Sequence, residues 1–251
     1  MMIESLETRR MLSATATVVQ GCDGTNTLVV NMTSADAIQV TEVASELVVG
    51  NPTPQSNVVT AGFFKTGAAI GPGVWTNISH IVIQGSSGND AIMVSAQNVD
   101  VNVEGGAGDD VILATGGAIT DSLGNYVAPQ TASFNIDGGD GNDVIEVING
   151  LNDVIYGGNG NDTLFSASGT DQFIDGGNGA DQILVGDTDS LVTGGNGKDV
   201  IAVLPVASGD PSYILPSNGK DTIDIVSTNS DPVVTQIVTA VNNAATAAFY
   251  G

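Results

Sequence analysis

Gly157-Gly158-Asn159-Gly160-Asn161-Asp162-Thr163-Leu164-Phe165 is the stretch whose reading decides the fold. Three glycines and an aspartate crowd into six residues, and an apolar segment follows. The same GGxGxD hexapeptide recurs at residues 105–110 (GGAGDD), 138–143 (GGDGND), 176–181 (GGNGAD) and 194–199 (GGNGKD). Weaker copies flank these: GSSGND ends at Asp90, and PSNGKD, which keeps only Gly219, ends at Asp221. A recurring unit of this size signals a solenoid, in which each unit buries its apolar side against its neighbours.

The spacing sets the size of one coil. Asp143 to Asp162 is 19 residues, Asp162 to Asp181 another 19, Asp181 to Asp199 is 18, and Asp90 to Asp110 is 20. Each interval suits two short strands and two tight turns. Two intervals are longer. The 33 residues from Asp110 to Asp143 leave room for a loop of about 14, and GGAITDSLGNYVAPQT fits that role. The 22 residues from Asp199 to Asp221 take their slack in PVASGDPSY.

Two residues after each aspartate stands an aliphatic side chain: Ile92, Ile112, Ile145, Leu164, Ile183, Ile201 and Ile223. Strand alternation directs such a set to one side, so the seven are expected to form one ladder in the core. Half a turn later the pattern is degraded. NGLND ends at Asp153 and SASGTD at Asp171, followed by Ile155 and Phe173, while Ser190 replaces the aspartate in VGDTDS. The roll is therefore expected to be rich in ligands on one edge and plain on the other.

Charge narrows the function. The chain of 251 residues carries 28 Asp and Glu against 5 Lys and Arg, a net charge of -23. Nucleic-acid binding needs a basic face and is excluded. Anionic membrane surfaces are disfavoured for the same reason, and no apolar run is long enough for membrane insertion as a helix. Such self-repulsion weakens a compact fold unless cations neutralise it. Calcium takes six to eight oxygens from carboxylates and carbonyls. The glycines let carbonyls turn inward, and the last residue adds a carboxylate. One loop offers too few ligands, whereas two loops stacked about 4.8 Å apart can share an ion. The candidate metal residues are Asp90, Gly105, Gly108, Asp110, Gly138, Gly141, Asp143, Gly157, Gly160, Asp162, Gly176, Gly179, Asp181, Gly194, Gly197, Asp199 and Asp221. Together they suggest about three to six calcium ions. The strongest sites fall between Asp143 and Asp162, Asp162 and Asp181, and Asp181 and Asp199; Asp90 and Asp110 form a further candidate pair, while the two insertions separate Asp110 from Asp143 and Asp199 from Asp221.

These residues resemble the RTX (hemolysin-type) nonapeptide GGxGxDxUx, in which U is a large aliphatic residue. The quoted stretch matches throughout, and residues 138–146, 176–184, 105–113 and 194–202 match at every defined position. The resemblance runs from about residue 85 to 226. It implies an all-β, right-handed parallel β-roll or β-helix solenoid with calcium between successive loops. This chain departs from the family in its longer coils and degenerate second edge. The N-terminal Leu6-Glu7-Thr8-Arg9-Arg10-Met11-Leu12 resembles the LEPRxLL-type motif of exported planctomycete surface proteins, with Thr8 for proline and Met11 for leucine. That resemblance implies export to the cell surface or outside. The lone Cys22 forms no intrachain disulfide, so calcium is the expected staple.

Residues 1–14 are read as the export-associated segment, locally a short helix or unstructured start. Residues 15–84 form a β-rich cap with irregular coils, residues 85–226 the calcium-binding roll, and residues 231–250 a C-terminal capping helix. NTLVVNM, AIQVTEV, SELVVG and HIVIQG read as strands, and SADAIQV, with Asp36 before Ile38, as a decayed rung. Asp231 is a suitable N-cap and Pro232 a first-turn residue; Val233, Val234, Ile237, Val238, Val241, Ala245 and Ala248 line one face. The helix is expected to cover the last open edge of the roll, and it also occupies the place of the C-terminal secretion signal that RTX proteins commonly carry.

No enzyme emerges. His80 is the only histidine, and HExxH, GxSxG and Walker motifs are absent. A β-helix polysaccharide lyase or epimerase could use paired carboxylates, but the repeat already explains most aspartates and the basic groups are few. The leading reading is a secreted or cell-surface structural or adhesive calcium-binding module, with a cell-surface glycan or protein as possible partner. Glycan or ice binding on the flat face needs a regular outward Thr or Asn ladder, and TDQFI, NDTLF and KDVIA show none.

Overall fold

The computed structural model describes residues 6–10, 14–33, 37–43, 58–65, 68–117, 119–120, 126–128, 132–205, 212–215, 217–225 and 232–250. SELVVG, Asp36 and the N-cap at Asp231 lie outside these residues.

Two facing sheets wind around one aliphatic core. The first stacks the strands Asn26–Met32, His80–Gln84, Asp100–Ala107, Phe134–Asp140, Val154–Asn159, Phe173–Gly179, Leu191–Thr193 and Tyr213–Ile214 in parallel. The second stacks Ala37–Val43, Ala91–Ala96, Val111–Gly116, Val144–Ile148, Thr163–Thr170, Gln182–Thr188, Val200–Val203 and Thr222–Ile225, also in parallel. The chain alternates between sheets, so the molecule is a parallel β-solenoid of the β-roll type. Its first coils are closed by antiparallel strands, including Leu6–Arg10 against Ala14–Gln20. Leu6–Arg10 thus forms a strand rather than a helix or a loose start.

The aliphatic ladder is in register. Ile92, Ile112, Ile145, Leu164, Ile183 and Ile201 stack on one another and are at most 1% exposed. Ile38 extends the ladder by one rung at its beginning. Ile223 also pairs in register but is 54% exposed, so the ladder ends one coil earlier than expected. Among the described residues no further coil covers that side chain. From the first sheet, Val30, Ile83, Val103, Ile136, Ile155, Ile174 and Val192 face the ladder, all buried.

The helix Pro232–Tyr250 forms where helical spacing predicts it, but not across the end of the roll. It lies against the outer face of the second sheet. Val234 and Ile237 pack with Leu184 and Ala202, and Phe249 packs with Ala37 and Ala91. The reason is in the repeat itself. The residue that ends each nonapeptide points outward; Leu113, Phe165, Leu184 and Ala202 make most of that face apolar, and Glu146 between Leu113 and Phe165 is the exception. The lengths agree: 19 helical residues reach about 28 Å, and the six strand-to-strand steps from Val200–Val203 to Ala37–Val43 cover about 29 Å.

Candidate metal centre

Each strong hexapeptide turns the chain from the first sheet into the second along one edge. In the central copy, Gly158 and Gly160 have φ of 105° and 139°, a region open to glycine and strained for other residues. Gly157 is glycine for a different reason. A Cβ there would lie 2.6 Å from Asp162 Oδ2 and nearer still to the carbonyl oxygen of Gly176 in the next coil. Gly105, Gly138 and Gly176 have the same surroundings. Each of these four glycines therefore borders a small space that already holds one carboxylate oxygen and one carbonyl oxygen; Gly194 borders the Asp199 carboxylate alone.

The aspartates form a ladder of their own. Each donates its backbone N–H to Oδ1 of the aspartate one coil on: Asp90 to Asp110 and Asp110 to Asp143 at 2.7 Å, Asp143 to Asp162 and Asp162 to Asp181 at 2.8 Å, and Asp181 to Asp199 at 3.0 Å. Asp199 to Asp221 closes the row at 3.2 Å. The ladder crosses both insertions without a break. The longer one leaves the roll after Gly117, whose N–H donates to the Ala96 carbonyl, and returns at Ala132, bonded to the Gln97 carbonyl.

The second carboxylate oxygen divides the row. Oδ2 of Asp110, Asp143, Asp162, Asp181 and Asp199 is buried and has no hydrogen-bond partner. At the flanks it is satisfied: Asp90 Oδ2 accepts the Ser86 N–H at 2.6 Å, and Asp221 Oδ2 accepts the Ser217 hydroxyl. In both flanking copies serine replaces the second glycine. A buried polar atom without a partner is costly, and five in a row on one edge call for a shared explanation.

Electrostatics agree. Burial pushes Asp110, Asp143, Asp162 and Asp181 up to about 7, opposed by the backbone N–H bonds and reinforced by neighbouring carboxylates. Asp199 is raised for the same leading reason. Among the described residues no three His, Cys, Asp or Glu side chains converge on one point. The donors are instead one carboxylate per coil with glycine carbonyls from the next. That all-oxygen set fits calcium, which accepts carbonyl cages, better than zinc or magnesium.

The family model for the RTX calcium-binding nonapeptide repeat matches in four copies, at residues 100–118, 135–146, 152–173 and 175–203. The chain carries RTX repeats. The matched RTX segments contain all five hexapeptides with an orphaned Oδ2 and neither flanking copy. No significant match is found among curated proteins or among solved structures.

Three features of the RTX block escaped sequence reasoning. The second glycines Gly106, Gly139, Gly158, Gly177 and Gly195 all have positive φ and belong to the loop as firmly as the first and fourth. On the opposite edge the rung after Asp153 is Gln172, not Asp171, because Val154 pairs with Phe173; Ile174, not Phe173, follows Ile155 in the core. Finally, an outward Asn ladder exists, in the third hexapeptide position rather than in the strands searched for it. Asn178 donates to Asn159, Asn196 to Asn178 and Asn218 to Asn196 through their amides at 2.7, 2.8 and 3.0 Å.

Proposed function

We propose that the roll binds a row of calcium ions on its glycine-rich edge and serves outside the cell as a calcium-stiffened structural or adhesive module. The observation that carries this reading is the set of five buried, unpartnered Asp Oδ2 atoms, each beside a glycine whose missing side chain leaves room. Asp110, Asp143, Asp162, Asp181 and Asp199 supply the carboxylates, and for the first four of these Gly138, Gly157, Gly176 and Gly194 of the following coil supply a carbonyl. Bound ions neutralise the row and tie successive coils together.

RTX repeats support calcium binding; the number of ions and the extracellular role are our inference. Export accords with the Leu6–Leu12 motif and with a net charge that calcium-rich surroundings would compensate. Isothermal calorimetry in calcium tests the site reading. Four or five ions per chain are expected, and titration with no heat of binding, in protein shown to be free of calcium, sinks it.

A glycan-contacting role is favoured by one observation. The exposed amides of Asn159, Asn178, Asn196 and Asn218 repeat at the coil spacing beside a groove lined by Asp137 and Asp140. Regular amides suit a hydroxyl-rich polymer. A glycan array with and without calcium, using the protein and an Asn178→Ala variant, separates adhesion from a purely structural role. Binding unaffected by the substitution excludes this surface.

A further inference from the structure

On the second edge, Asp153, Gln172 and Ser190 occupy successive rungs, at 1%, 2% and 0% exposure. The Gln172 Nε2 group donates to the carbonyls of Gly150 and Thr170, both at 3.1 Å. It also lies beside the Asp153 carboxylate, whose Oδ1 accepts the Phe134 N–H at 2.8 Å and whose Oδ2 is buried without a hydrogen-bond partner; burial raises that carboxylate to about 6, and the Gln172 amide is among the groups that lower it. Gly169 borders the same space. A Cβ there would lie 2.8 Å from the Gly150 carbonyl oxygen and closer to Nε2. The first edge has the same elements around Gly157, a glycine wall, a carbonyl from a neighbouring coil and a buried carboxylate, but no donor among them.

The next rung repeats the device with a smaller group. Ser190 Oγ donates to the Thr188 carbonyl at 3.2 Å, two residues earlier, just as Gln172 donates to Thr170. An earlier coil is closed by a side chain as well: Glu42 Oε2 accepts the N–H groups of Gln97 and Asn98 at 2.7 and 2.9 Å.

We propose that the Gln172 carboxamide stands in for a cation, so that this rung of the second edge is held by the protein's own donor while the first edge is held by metal. An amide N–H₂ carries partial positive charge and two donors, enough to gather two carbonyls and lie against a carboxylate. The proposal rests on calcium binding at the first edge and assigns the second edge a different chemistry.

The experiment replaces the stand-in. Gln172→Glu keeps the length of the side chain and turns its donors into oxygens facing Gly150, Thr170 and Asp153, which completes an oxygen cage. Calcium content per chain after equilibrium dialysis is expected to rise by one ion over wild type. Gln172→Leu removes the amide and supplies no ligand, so it is expected to keep the wild-type count with a lower melting temperature. A Leu variant that loses an ion overturns the proposal, because Oε1, which has no hydrogen-bond partner, would then be a ligand. A Glu variant with the wild-type count, or one that stays unfolded in calcium, overturns it too. The wild-type count itself judges the first-edge reading separately: zero ions there defeats that reading, and the difference between Glu variant and wild type still decides this one.

Discussion

Asp162→Asn separates a ligand from a hydrogen-bond anchor. Asp162 Oδ1 accepts the Asp143 N–H at 2.8 Å, and asparagine can keep that bond. Oδ2 is the atom without a partner, facing the space bordered by Gly157 and Gly176. The substitution turns this oxygen into an amide donor and removes one charge, so it deletes a ligand and little else. A site held at 100 times its dissociation constant contributes about 2.7 kcal/mol, and at 1,000 times about 4.1. The gap between wild type and variant should therefore widen by about 1.4 kcal/mol for each tenfold rise in calcium. For a domain of this size 2.7 kcal/mol is worth about 5–11 °C in melting temperature. Circular dichroism melts across a calcium series read the gap directly. In low calcium the variant should be no less stable than wild type, because a buried carboxylate raised to about 7 has been replaced by a neutral group. A constant gap at every calcium concentration refutes the reasoning and leaves Asp162 a structural anchor.

Four further outcomes are expected. In excess chelator at neutral pH the β signal of the roll should be lost and should return in millimolar calcium; an unchanged far-ultraviolet spectrum would contradict this. Acid should partly replace the metal. Asp110, Asp143, Asp162 and Asp181 are near 4 when unfolded and about 7 in the roll, so the calcium-free fold is favoured below pH 4 and loses that support as pH rises to 7. Chelated protein should accordingly show more β structure at pH 5 than at pH 8, and equal spectra would count against it. Replacing residues 119–130 by a short linker should leave the calcium count unchanged in calorimetry, because the aspartate ladder already bridges that insertion. Leu164→Ala should cost about 2–5 kcal/mol in denaturant titrations at fixed calcium, since it empties the middle of the buried ladder.

The coil and its core were legible because they depend on spacing. An aspartate followed at two residues by an aliphatic side chain fixes both the turn and the inward face, and Ile92 to Ile201 obey it. The second edge was harder to read. Its glycines are gone, Asp171 imitates the aspartate of the motif, and only backbone pairing reveals that Gln172 holds the rung. Ile223 was misjudged for another reason: a periodic residue is buried only if a further coil covers it. The helix was found from its period, but its position depends on which face of the sheet is apolar, and Leu113, Phe165, Leu184 and Ala202 were read as ends of nonapeptides rather than as a docking surface. Serine at 86 and 217 looked like simple decay. In the fold each closes the carboxylate that a neighbouring glycine copy leaves open.

The helix that crosses the second sheet also alters how the molecule can come apart. A stack of coils touching only their neighbours unravels from its ends, one unit at a time. Here the strap anchors beside Leu184 and Ala202 and finishes beside Ala37 and Ala91. A late coil cannot peel away without lifting a segment that also grips the earliest ones. Fraying at one end is thereby charged to the whole array, and melting is expected as one sharp transition rather than a staircase.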